Sequence, residues 1–104
     1  MKFFLISDNT DTQIGFRLAG VEGVVAHSRD EVTTALARAE ADEQIGVVLL
    51  TAACIALAPD AYQAVRLTGR RPMCIQVPDR HSRGDITRNL DAYLSEAIGF
   101  SAKS

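Results

Sequence analysis

The chain has 104 residues, 47% of them hydrophobic and 23% charged, with eleven basic side chains against thirteen acidic ones. That length fits one domain, and surface scaling has it bury about 65% of its extended surface, enough for a core without disulfides or metal. The net charge of −2 excludes a phosphate-backbone binder, which carries a basic excess. The small size also excludes an enzyme with a separate substrate domain.

Residues 2–7 are predicted to form a strand. Their apolar run stops at Ser7-Asp8-Asn9, short of the roughly 7–15 residues of a signal peptide core. No stretch approaches the ~20 apolar residues that span a bilayer. Thr10 or Asp11 can cap a short helix whose apolar face holds Ile14 and Leu18. Gly20 stands just past its end, where a left-handed cap belongs. Residues 23–27 predict a second, edge strand. Ser28-Arg29-Asp30-Glu31 has the form of a capping box. It opens a helix with Val32, Ala35, Leu36 and Ala39 on one stripe and acidic Glu40, Asp42 and Glu43 near its end.

Ile45 to Thr51 is apolar at successive positions, the pattern of a strand covered on both faces. The helical stretch from Ala52 is broken by Pro59, so two short helices are expected to meet near Ala58. A basic turn at residues 66–71 leads into a fourth strand between Pro72 and Pro78, suited to an edge. A polar loop at 79–84 precedes a last helix, capped by Asp85, with Ile86, Leu90, Tyr93, Leu94, Ala97 and Ile98 on one stripe. The expected organisation is a domain at 1–78, a linker at 79–84, and a C-terminal helix and tail at 85–104.

This βαβαβαβα alternation predicts an α/β fold: a small, flavodoxin/Rossmann-like parallel sheet of four strands, ordered 2-1-3-4, flanked by helices. Ligands in such folds favour the carboxyl ends of the strands, here lined by Ser7, Asp8, Asn9, Thr10, Thr51 and Ala52. A phosphate-receiving module needs an aspartate ending the third strand, and Thr51 stands there. Asp8 then reads as a turn former and helix cap. Gly15, Gly20 and Gly23 lie within and after the first helix, not before it as a dinucleotide fingerprint requires.

Cys54 and Cys74 sit in apolar segments and read as buried free thiols of a reducing, cytoplasmic compartment. With only His27 and His81 besides, no metal-ligand spacing emerges. Arg80, His81 and Arg83 read as a solvated connector. No nucleophile, base and orienting group fall into a catalytic pattern, and no cofactor is expected. The last stripe suits either a wall of the core or a partner surface, and the residues leave both open.

The segment from Asp11 to Gly23, with Gly15-Phe16-Arg17-Leu18-Ala19-Gly20 followed by Glu22-Gly23, resembles the signature of the F subunit of V-type/A-type rotary ATPases. The strand at 45–51, Ala58-Pro59, the segment from Pro72 to Pro78 and the ending Glu96-Ala97-Ile98-Gly99-Phe100 match in order. Ala52 departs from the acidic residue common in the family.

The resemblance implies a non-catalytic component of the central rotor stalk, peripheral to the membrane through its complex. It would bind the coiled-coil D subunit inside the ring of A and B subunits, which its C-terminal helix would contact. Implied partner residues are Phe16, Arg17 and Leu18 in the motif, Val24 and Val25 on the edge strand, and Ile86, Leu90, Tyr93 and Leu94 on the last helix. A stand-alone receiver-like signalling module is the alternative, and a small nucleotide-binding domain a third.

Overall fold

The run of apolar residues at 45–51 is the buried centre of the sheet, as its unbroken pattern requires. The computed structural model describes residues 1–77. Within them strands and helices alternate: β1 (Lys2–Ser7), α1 (Thr10–Leu18), β2 (Glu22–Val25), α2 (Arg29–Ala41), β3 (Ile45–Thr51), α3 (Ala52–Leu57), α4 (Pro59–Arg66) and β4 (Met73–Val77). All neighbouring strands pair in parallel, in the order β2-β1-β3-β4. This is the α/β architecture that the alternation predicts. The loop at 79–84 and the stripe carrying Ile86, Leu90, Tyr93 and Leu94 lie outside the described residues.

Successive side chains of a strand point to opposite faces, so β1 and β3 divide their residues between two cores. Phe4, Ile6, Val48 and Leu50 meet the buried stripe Val32, Ala35, Leu36 and Ala39 of α2, joined by residues of α3 and α4. Leu5, Val47 and Leu49 face the other way, onto Phe16 of α1, with Val21 and Val77 beside them. On this second face, Phe3 and Ile75 remain only half-buried.

The helix starts are set locally. Ser28 accepts the Glu31 N–H at 3.2 Å, as the capping box predicts. The Glu31 carboxylate reaches past the cap, however, to accept from the His27 N–H at 2.6 Å. For α1 the expected cap is corrected. Neither Thr10 nor Asp11 serves; Asn9, in an extended conformation, accepts the Thr12 N–H at 3.1 Å. Pro59 divides α3 from α4 at Ala58 as expected, taking the first helical position where its missing N–H costs nothing. The second strand begins one residue early, at Glu22, and ends at Val25. Ala26 still donates to Ser7 O at 2.8 Å.

Two arginines tie distant segments together. Arg71, in the basic turn, donates to the carbonyls of Asp42 at 2.8 Å and Ile45 at 3.0 Å. A cation is thereby placed just past the carboxyl end of α2, where the helix dipole favours positive charge. Arg29 forks onto Asp60 with two bonds of 2.6 and 2.7 Å, joining α2 to α4.

The hydrogen bonds from Arg29 hold the Asp60 carboxyl well below the usual carboxylate range. Since its folded-state pKa is lowered, the contribution to stability is present above the ordinary aspartate value of about 3.9 and lost as pH falls below it. Asp60→Asn should therefore lower the melting temperature at pH 7. The gap from the native chain should shrink as pH drops below about 4 and as salt rises, since the pair is exposed. Melting curves over a pH series check this.

Candidate functional site

The crevice at the carboxyl ends of β1 and β3 is closed by the chain's own hydrogen bonds. Thr51 Oγ1 donates to Asp8 Oδ1 at 2.8 Å and accepts the Asp8 N–H at 3.3 Å. Ser7, fully buried, donates to Asn9 O and accepts the Asn9 N–H, both at 2.9 Å. His27 Nε2 lies 3.0 Å from the Asp8 carbonyl oxygen; because that oxygen only accepts, the bond requires a proton on Nε2. Asp8 is thus not a helix cap, as the sequence suggests, but one half of a lock between the ends of two neighbouring strands. A threonine at 51 supplies the hydroxyl that a phosphorylatable aspartate would displace.

The cysteines offer no nucleophile. Both are buried free thiols. Burial pushes Cys74 up to about 11 and raises Cys54, whose Sγ lies 3.6 Å from Ala26 O. Each therefore stays a protonated, inert thiol at neutral pH. Among the described residues, no three His, Cys, Asp or Glu side chains are grouped to hold a metal ion, and no helix is long and apolar enough to cross a membrane.

The motif at residues 15–23 is a turn before it is a contact. Val21 N–H donates to Phe16 O and Gly20 N–H to Arg17 O, both at 2.9 Å. This is the paired 6→1 and 5→2 bonding of a Schellman cap, with Gly20 at φ +93° in the left-handed position. Phe16 and Val21, which such a cap brings together, share the second core. Gly23 follows in β2 because a Cβ there would come within 2.8 Å of Leu5 Cβ and Leu5 O.

The motif's side chains consequently separate. Phe16, expected at a partner surface, is completely buried against the sheet and cannot be offered to a partner without unfolding α1. The expected apolar face at Ile14 and Leu18 is also corrected. Each lies two residues from Phe16, roughly 200° around the helix, so seating Phe16 turns both outward. They are 41% and 76% exposed. Arg17 is exposed as well, whereas Val24 and Val25 are half-buried in β2, with Val24 packed on the larger core. Ile14 is thus a surface residue, on the side opposite to the one its spacing suggests. A large aromatic at the third residue from the helix end, four before a glycine, is the signal that finds the true inward face.

The described residues thus combine a closed crevice with a partly apolar outer surface. A family model for the ATP synthase (F/14-kDa) subunit matches residues 4–93. The chain belongs to that family. A search of curated proteins returns no match. Among solved structures, the F subunit of the V-type ATP synthase from Archaeoglobus fulgidus is similar, at 20% identity and a TM-score of 0.62. The match covers 74% of this chain and 96% of that one. At that identity the likeness speaks for the fold, and it agrees with the four-stranded parallel sheet. Membership makes the chain kin to components of a multi-subunit ATP synthase and replaces the receiver-like and nucleotide-binding readings.

The division of the motif predicts unequal costs. Phe16→Ala should destabilise the domain by about 3–5 kcal/mol, as for other buried aromatics. Leu18→Ala should stay within about 0.5 kcal/mol. Denaturant titrations of the two variants check the assignment.

Proposed function

We propose that this chain is a non-catalytic component of the central rotor stalk of a V/A-type rotary ATPase. It binds the coiled-coil D subunit and helps couple ATP hydrolysis or synthesis to ion translocation. The observation that carries this reading is the family match over residues 4–93, which spans the α/β unit and reaches into the last apolar stripe as far as Tyr93.

Several physical features support an adhesive rather than a chemical role. The crevice where this fold class binds ligands has its hydroxyls and carboxylate engaged internally. Both thiols are buried. The outer edge of β2 carries no further strand among the described residues, and such an edge can pair with a partner. The contact surfaces in this reading are the exposed part of the 15–23 segment, the β2 edge at Val24 and Val25, and the stripe Ile86, Leu90, Tyr93 and Leu94. The last of these would reach the A/B hexamer. The protein would work on the cytoplasmic side, peripheral to the membrane through its complex.

Titrating the chain with a D-type coiled-coil protein should give a saturable complex that co-elutes in gel filtration. A folded chain with no affinity for that protein would rule the reading out. The proposed boundary after residue 78 has its own test. A chain truncated before Asp85 should keep a cooperative melting transition and its circular dichroism; loss of the fold would make the last helix part of the core.

A further inference from the structure

Arg17 and Arg38 stand on opposite faces of the sheet, and the outer edge of β2 runs between them. Arg38, on α2, holds its guanidinium 5.5 Å over the ring of Phe4, which belongs to the larger core. Arg17 is on α1, the helix that covers the other face with Phe16. Both residues nevertheless line one cleft of about 410 Å³, together with Glu22 and Gly23. The cleft therefore wraps around the start of β2, with one cation on each side of the edge. The ion pairs among the described residues join Lys2 to Glu22 and Asp42, and Arg29 to Asp60, and leave out both arginines. Glu22, the carboxylate lining the cleft, is bridged to Lys2 at 3.8 Å.

The backbone of this edge is set by its pairing with β1. The Ala26 N–H donates to Ser7 O at 2.8 Å, and the peptide groups of a strand turn alternately to its two sides. Glu22, Val24 and Ala26 therefore bond toward β1, and the N–H and C=O groups of Gly23 and Val25 point away from it. No strand lies on that outer side among the described residues. Side chains alternate between the faces instead. Val24 packs on the larger core, on the side of Arg38, and Val25 is half-buried on the side of Arg17.

We propose that the β2 edge receives an extended segment of a partner protein in which two consecutive acidic residues adjoin apolar ones. Gly23 and Val25 would supply its main-chain hydrogen bonds. Neighbouring residues of the added strand point to opposite faces, so one carboxylate meets Arg17 and the next meets Arg38. The apolar residues beside them cover Val24 and Val25. A second copy of the edge reads Glu22-Gly23-Val24-Val25, with a single acidic residue, and so lacks the pair. The proposal rests on the stalk reading for the role of this edge, but its test needs no stalk partner.

The test titrates the isotope-labelled full chain with the capped peptide Val-Val-Glu-Glu-Val-Val, which presents the pair in either strand direction, and follows the amides by nuclear magnetic resonance. The Gly23 and Val25 amides should shift and gain protection from hydrogen exchange. The Val24 amide, already bonded to β1, should change little. A peptide with glutamines in place of the glutamates should bind about fivefold more weakly at low salt, with the gap closing as salt rises. Arg17→Glu and Arg38→Glu should each weaken binding of the acidic peptide, and the double variant should favour a peptide with lysines at those two positions. Melting curves show that the variants fold, and a reversed preference is one that an unfolded chain does not display. Equal binding of the acidic and glutamine peptides by the native chain would overturn the proposal, as would unprotected Gly23 and Val25 amides in the complex. Either result leaves the stalk reading standing, because that reading is tested by titration with the coiled-coil protein.

Discussion

The seating of one aromatic ring organises this molecule. A parallel sheet must be covered on both faces, and among the described elements three helices share one face while α1 lies on the other. Phe16 is the side chain by which α1 grips that face, and its complete burial sets the rotation of the helix. The Schellman cap follows directly. Phe16 is the residue whose carbonyl accepts from Val21, and Gly20 supplies the positive φ that turns the chain into β2. The close approach of β2 to β1 at Gly23 completes the corner. A motif that looks like a binding signature is therefore first a folding device, and its exposed residues are what remains for recognition.

The same economy appears at the carboxyl ends of the strands. In many α/β folds that region holds a ligand. Here Thr51 and Asp8 satisfy one another, and Ser7 closes a turn with Asn9. Polar groups that would have to be held open for a substrate are used to lock β1 to β3. Both thiols are buried and protonated. The surface features that stand out among the described residues are an uncovered sheet edge and the exposed apolar side chains Ile14 and Leu18 of α1.

Much of the fold was legible because its signals are local. The uninterrupted apolar run at 45–51 announces a strand covered on both sides. Ser28 and Glu31 announce a helix start, and Pro59 a helix break. Alternation of such elements leaves few arrangements, and right-handed crossovers prune them further. The candidate site was only partly legible. Arg17 and Leu18 do stand on the surface, but Phe16 does not, and Ile14 lies on the side opposite to the expected one. In a nine-residue helix with apolar residues at 14, 16 and 18, hydrophobicity alone gives no preference between opposite faces. Size and the cap geometry decide it.

By itself the sequence determined the order of elements, the parallel sheet, the Ser28 cap of α2 and the glycine that ends α1, and the family, through a motif spanning a turn. Tertiary structure alone decided which side of α1 faces in, that Asp8 bonds across 43 residues to Thr51, and that Arg71 reaches back to the end of α2. The reason is range. Periodicity and capping act between residues a turn apart, where spacing in the chain is spacing in space. The lock, the arginine brace and the outward turn of Ile14 and Leu18 depend on which side chains meet after the strands are paired, and no local pattern records that.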